Sequence, residues 1–227
     1  MKGQYEFYTE AYEKYVEEFR QGEKLIEKYY LPLLKELGAK TVLDLGCGPG
    51  TSKILVDHGF EVVGVDQSQP FVQMASKYYQ AIMDDIRTLG HVRTKFKDRI
   101  PFDAAIAVFT TVPHMSNARD IIHHFRATNK VAKYYIFDFP AFVNLAVSPG
   151  EAFEFDRVGR VKMKVNADGK EYGIMLSMIT PLFVDTIAPL TGWRVEKRLA
   201  DGREFNANDK IFDDVCRFVY VLKRRER

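Results

Sequence analysis

Cysteine is scarce in this chain of 227 residues: Cys47 and Cys216 are the only two. One pair cannot build a disulfide scaffold and falls short of a four-cysteine zinc site. The expected compartment is a reducing, cytoplasmic one. No apolar run approaches the ~18 residues that cross a bilayer. The opening Met1-Lys2-Gly3-Gln4-Tyr5-Glu6 has no apolar core of signal-peptide length. Charge of one sign is lacking as well. The 33 Lys and Arg face 31 Asp and Glu, which leaves +2 and no global field for nucleic acid or an anionic membrane. Repeats and low-complexity blocks are absent. What remains is the balance of a folded globular chain, 46% hydrophobic and 28% charged, with length enough to bury a full core.

Residues 9–37 read as helical, with Phe19, Leu25, Ile26, Tyr29, Leu33 and Leu37 near helical spacing. Pro32 kinks this stretch or starts a second helix, and Gly38 stops it. The period then changes. Strands are expected at Thr41–Leu45, Glu61–Asp66, Tyr79–Met83, Phe102–Phe109 and Lys133–Phe137. Helices are expected between them at Thr51–His58, Pro70–Tyr79 and Ser116–Thr128. Strands alternating with helices imply a parallel sheet. Beyond Pro149, Val158–Val165 and Tyr172–Ile179 flank a turn at Asn166–Lys170 and read as an antiparallel hairpin. A helix near Leu182–Leu190 and strands at Trp193–Arg198 and Val215–Leu222 complete the pattern. The expectation is one α/β domain over 1–227: an N-terminal helical lid (1–37), a ligand-binding half (38–140), and a hairpin insertion with C-terminal strands (141–227). Its core is a doubly wound, mostly parallel seven-stranded sheet.

Gly46-Cys47-Gly48-Pro49-Gly50 joins the first strand to the next helix. Ligands of open parallel sheets bind at the carboxyl ends of strands. Glycines there let the backbone approach closely, and the following helix aims free N–H groups at the site. Asp44 precedes the glycines, and Asp66 stands 16 residues after Gly50 at the tip of strand two. A carboxylate there can accept both hydroxyls of a ribose. The nucleoside could belong to NAD or to S-adenosylmethionine. The spacing is G-x-G-x-G with Thr at 51, whereas a dinucleotide turn needs G-x-G-x-x-G. Asp44 would repel a pyrophosphate but suits a ligand's ammonium group.

Asp44-Leu45-Gly46-Cys47-Gly48-Pro49-Gly50 resembles the first motif of class I S-adenosylmethionine-dependent methyltransferases, and residues 41–140 follow that family's order. The family has a Rossmann-like fold. Val63-Gly64-Val65-Asp66-Gln67-Ser68 is similar to its second motif, where the acid holds the ribose. Asp84-Asp85-Ile86-Arg87 is similar to the third, which implies that Asp85 accepts the adenine amino group and that the Ile86 backbone meets the ring. Phe102 to Phe109 resembles the fourth strand, whose end faces the methionine and the substrate. The resemblance thus implies S-adenosylmethionine as cofactor, held by Asp44, Gly46, Cys47, Gly48, Asp66, Gln67, Ser68, Asp85, Ile86 and Phe109. Tyr8 and Tyr15, in an aromatic N-terminal segment, are candidates to cover the sulfonium; the alternative is that these rings pack a helix onto the sheet. Arg126 to Val131 lacks the glycine turn that many relatives carry before strand five.

Methyl transfer from a sulfonium is intrinsically downhill, so alignment is the main requirement, and a base is needed only for a protonated nucleophile. His114, after strand four, is the candidate base or hydrogen-bond donor; otherwise it is a loop or capping histidine. Asp138 and Pro140 either line the acceptor pocket or, for Asp138, cap a turn. Adjacent helical positions point about 100° apart, so His123 and His124 cannot share a metal, and no metal is expected. Cys47 reads as a space-filler. The basic stretches Arg93 to Arg99 and Lys223 to Arg227 read as solvated surface.

The function expected is methyl transfer to a small-molecule acceptor, with no membrane partner and nucleic acid disfavoured. An RNA or protein methyltransferase and a non-catalytic S-adenosylmethionine-binding regulator are the alternatives, and a NAD-binding reductase comes third.

Overall fold

The computed structural model describes residues 22–115, 117–141, 153–155, 160–167, 170–206, 209 and 215–226. Tyr8 and Tyr15 lie outside the described residues. Eleven strands are described: β1 (Thr41–Leu45), β2 (Glu61–Asp66), β3 (Gln80–Met83), β4 (Phe102–Ala107), β5 (Ala132–Pro140), β6 (Phe153–Phe155), β7 (Arg160–Ala167), β8 (Lys170–Ser177), β9 (Trp193–Ala200), β10 (Arg203–Glu204) and β11 (Arg217–Arg224). The α-helices are α1 (Leu31–Glu36), α2 (Lys53–Asp57), α3 (Gln69–Ala75), α4 (Gly90–Lys95), α5 (Ala118–Asn129) and α6 (Pro181–Leu190).

The main sheet runs β10-β9-β11-β5-β4-β1-β2-β3. β1 pairs in parallel with both β2 and β4, and the parallel set extends to β3 and β5. β11 enters antiparallel to β5 and to β9. This is the doubly wound sheet expected, with the two-residue β10 added at its edge. Strand order reverses between β1 and β4, which puts the glycine turn after β1 at the switch point where such sheets bind ligands.

Both faces of the sheet are covered, so the strands read as continuous apolar runs. Leu43, Leu45, Val63, Val65, Tyr135, Phe137 and Phe139 face one core. Val42, Val62, Ala104, Ile106 and Ile136 face the other, with Tyr30 and Leu34 packed above them. Asp44 and Asp138 sit among these apolar neighbours, 2% and 0% exposed.

Several elements depart from the expected pattern. Chain 22–25 is α-helical, Ile26–Tyr30 forms a π-helical turn, and α1 follows with Pro32 in its first turn. The backbone stays helical through Tyr30 and Leu31, so Pro32 neither starts nor stops the stretch and instead follows directly on the π-helical turn. α4 was not anticipated. Its N-terminus is supported from outside the segment, because the Val92 N–H donates to Asp84 Oδ2 at 2.9 Å, and Leu89 before it is left-handed at φ 50°. β4 ends at Ala107, short of the expected Phe109, because Phe109 and Thr110 turn into the left-handed region at φ 58° and 68°. The hairpin expected between strands five and six is present as β7 and β8, with Ala167 opposite Lys170, and β6 joins it as a third strand.

Candidate active site

A cavity of about 490 Å³ opens at the carboxyl ends of β1, β2 and β4. That size suits a small ligand. Of the residues singled out from sequence, it gathers Asp44, Gly46, Cys47, Gly48, Asp66, Gln67, Ile86, Phe109 and His114. Ser68 and Asp85 are not on its wall. Sequence reasoning missed Thr51, Ser52, Phe71, Arg87, Thr111, Met115 and Asp120, which also line it. Thr51, Ser52 and Arg87 adjoin or belong to the motifs without having been given a role, whereas Phe71, Thr111, Met115 and Asp120 come from segments with no motif and are brought in by the packing of α3, α5 and the turn after β4.

The glycine turn folds back over β2: the Gly46 and Cys47 N–H groups donate to the Val65 carbonyl at 2.8 and 3.0 Å. Gly46 and Gly48 are left-handed at φ 76° and 52°. A Cβ on Gly46 would stand 2.6 Å from Thr111 Cγ2, so a side chain here is barred by contact as well as by backbone. Cys47 is buried against Gly64, and burial beside Asp44 and Asp66 pushes its thiol well up. It is an inert filler.

Asp66 receives two backbone N–H groups, from Gly48 to Oδ2 at 3.0 Å and from Ser68 to Oδ1 at 2.8 Å. Each oxygen keeps a second lone pair, so the carboxylate can still accept both hydroxyls of a vicinal diol. Burial raises its pKa, and the backbone donors oppose that shift. Ser68 spends its hydroxyl on capping α3, accepting from the Phe71 N–H at 3.5 Å. Burial pushes Asp44 up to about 7, an effect the Tyr79 hydroxyl, 3.3 Å from Oδ2, works against. Asp85 is turned to Arg87, whose Nη2 donates to its Oδ2 at 2.6 Å.

The turn after β4 is held from behind. Asp138 accepts the Phe109 N–H at 2.7 Å and the Thr110 N–H at 3.2 Å, which stabilises two adjacent left-handed residues. Its carboxylate also meets the Tyr30 hydroxyl at 2.5 Å and pairs with Arg217. Asp138 thus caps a turn and does not line the pocket. His114 follows on a 3-10 turn, Val112–His114. Burial lowers its pKa to about 4, so its ring is neutral at ordinary pH. The next residue, Met115, is anchored by the insertion: Ser177 of β8 donates to its carbonyl at 2.5 Å.

His124 lies one layer behind the cavity, fully buried, while His123 is exposed. The Ile86 carbonyl, 2.8 Å from Nδ1, can only accept, so Nδ1 carries the proton and Nε2 accepts from the Tyr135 hydroxyl at 2.6 Å. Among the described residues no group of three or more His, Cys, Asp or Glu is placed to hold a metal, and no helix is long and apolar enough to cross a membrane.

Residues 42–133 match the family model of a methyltransferase domain. Among solved structures, an S-adenosylmethionine-dependent methyltransferase from Clostridium acetobutylicum is 14% identical, with TM-score 0.68, covering 91% of this chain and 92% of that one. The methyltransferase CcbJ from Streptomyces caelestis is 18% identical, with TM-score 0.69 and coverage of 88% and 90%. The sugar N-methyltransferase KedS8 from Streptoalloteichus is 15% identical, with TM-score 0.57 and coverage of 92% and 88%. At these identities the likeness is one of fold. No curated protein matches the sequence.

Proposed function

We propose that this chain, whose residues 42–133 match the family model of a methyltransferase domain, is a class I S-adenosylmethionine-dependent methyltransferase that transfers the sulfonium methyl group to a small-molecule acceptor. When bound, the cofactor supplies an electrophilic methyl carbon. The chain's residues bind it, align the acceptor and exclude water. The observation that carries the reading is Asp66, hydrogen-bonded by Gly48 and Ser68 yet with one lone pair spare on each oxygen, at the tip of β2 beside the left-handed glycine turn. In this reading Asp66 accepts the ribose hydroxyls, and Asp44 faces the ammonium group. Gly46 and Gly48 pass close under the amino-acid tail, Ile86 and Gln67 flank the base and ribose, and Phe109 and His114 wall the acceptor side.

A small acceptor is supported by the insertion standing against that side of the cavity: Ser177 of β8 donates to the carbonyl of Met115, next to His114. The same contact, with Arg217 on Asp138, supports one domain spanning both halves of the chain. Gly22, first of the described residues, lies on the cavity wall, which supports a covering role for the segment before it. The fold likeness to a sugar N-methyltransferase points to the same acceptor class. The basic tail lies away from the cavity. Arg217 pairs with Pro140 at the carboxyl end of β5, whereas Lys223 pairs with Tyr134 toward the opposite end. That placement disfavours an RNA acceptor fed by these charges.

Calorimetry tests the reading. The chain binds S-adenosylmethionine and its demethylated product in preference to NAD. Asp66→Ala weakens both by about 1.5–3 kcal/mol per lost bond to the carboxylate, with folding intact. Tighter binding of NAD, or an unchanged affinity in folded Asp66→Ala, removes the assignment.

A further inference from the structure

Two carboxylates stand at the outer end of the cavity, and the structure separates their duties. Asp85 is already engaged. Its Oδ1 accepts from the Arg87 backbone N–H and from Nε, both at 2.9 Å, and its Oδ2 from Nε at 3.0 Å and Nη2 at 2.6 Å. Three N–H groups of Arg87, the Nε one shared by both oxygens, thus occupy most of the roughly four lone-pair positions of Asp85. The Arg87 bonds hold its carboxyl below the ordinary range, and it is not on the cavity wall.

Asp120 is on that wall. It stands in the first turn of α5, its N–H capped by Asn117 Oδ1 at 2.9 Å. Its Oδ2 accepts from Asn117 Nδ2 at 3.1 Å and from Arg87 Nη1 at 3.3 Å. Its Oδ1 has no hydrogen-bond partner among the described residues. Arg87 lines the same wall, clamped between the two acids.

The order of strand tips fixes which part of the ligand arrives here. The glycine turn and Asp44 sit at the tip of β1, Asp66 at β2, and Ile86 and Arg87 just beyond β3. A ligand with its ribose on Asp66 and its amino-acid tail over β1 sends its base outward, onto Ile86 and Arg87 and within reach of Asp120. We propose that Asp120, rather than Asp85, accepts the 6-amino group of adenine, while Asp85 acts through Arg87 as a positioning residue. The guanidinium plane so held offers a face on which the purine stacks. This assignment rests on the reading that the cavity takes S-adenosylmethionine.

The test is calorimetry on the full chain with two ligands, S-adenosylhomocysteine and S-inosylhomocysteine. The second carries a carbonyl oxygen in place of the amino group, so a lone pair would face the carboxylate. The wild type prefers the adenine ligand by about 10- to 100-fold, the range of one hydrogen bond to a charged group. Asp120→Ala brings the ratio to within about threefold, and Asp120→Asn, which keeps the shape of the α5 cap, gives an intermediate ratio. Asp85→Asn keeps most of the preference. Melting curves establish that each variant is folded. A preference erased by Asp85→Asn and kept by Asp120→Ala overturns the assignment, as does one kept in both. A wild type that binds the two ligands equally overturns the role of Asp120 alone. A wild type that binds neither overturns the methyltransferase reading itself.

Discussion

His114 and Asp44 line one cavity, and one cause moves both toward neutrality. Burial disfavours charge, so it pulls the histidine down to about 4 and pushes the carboxylic acid up to about 7. A histidine poised near its free value of about 6.5 would give a limb of activity in the neutral range. The structure places that limb near 4. At saturating ligands, kcat is therefore expected to stay flat from about pH 6 to 8 and to fall as pH drops toward 4. Asp44 acts on affinity instead. Above about 7 it is a carboxylate that attracts an ammonium group, so cofactor Kd is expected to tighten as pH rises through 7. Both are read from one pH series of turnover and calorimetry. A kcat limb near 6.5 that vanishes in His114→Ala would contradict the neutral ring.

At the scale of elements, the critical joint is the turn after β4. Phe109 and Thr110 adopt a conformation that costs non-glycine residues free energy, and Asp138 on β5 supplies the compensating bonds. Tyr30, at the end of the π-helical turn, and Arg217, at the start of β11, meet the same carboxylate. Three separate segments thus converge on one buried acid of β5. Asp138→Asn keeps the volume but strips the charge that Arg217 pairs with. Breaking a buried pair from one side costs about 3–5 kcal/mol. Urea unfolding is expected to show a loss of that order, and transfer is expected to drop with it as the Phe109 wall relaxes. A variant within about 1 kcal/mol of wild type, well below that range, would show that the turn stands without this support.

For the molecule as a whole, acid stability follows from His124. It is fully buried, and burial lowers its pKa to about 4. The folded value lies below the unfolded value of about 6.5, so its contribution is complete above 6.5 and is lost as pH falls toward 4. Asp44 has the opposite sign, since its folded pKa is raised and its contribution is lost as pH rises through about 7. His124→Gln separates the two, because Asp44 is common to both proteins and cancels in the difference. The variant is expected to be less stable than wild type at pH 7.5. That gap narrows by about 2 kcal/mol between pH 6.5 and 5, at about 1.4 kcal/mol per unit for one proton. A gap that stays constant with pH would mean that His124 takes up a proton as readily in the folded protein as in the unfolded chain.

Local chemistry suffices for much of this protein. The alternation of strands and helices from Thr41 to Phe137, the glycine turn with Asp44 before it, and Asp66 at the second strand tip are all legible, because each depends on residue type at fixed spacing. The hairpin is legible for the same reason. What contacts from elsewhere in the chain impose is not. α4 depends on Asp84, Phe109 leaves β4 because of Asp138, and β6 and β10 are too short to show a period. The site divides in the same way. Asp66 is readable from its place after a strand, but whether Asp85 or Asp120 presents an unoccupied oxygen to the cavity depends on where Arg87 turns. The protonation of His114 and Asp44 depends on how much protein surrounds them. Spacing determines which groups reach the cavity, and three-dimensional packing decides which of them remain unpaired or uncharged, because desolvation and hydrogen-bond occupancy depend on every neighbour at once.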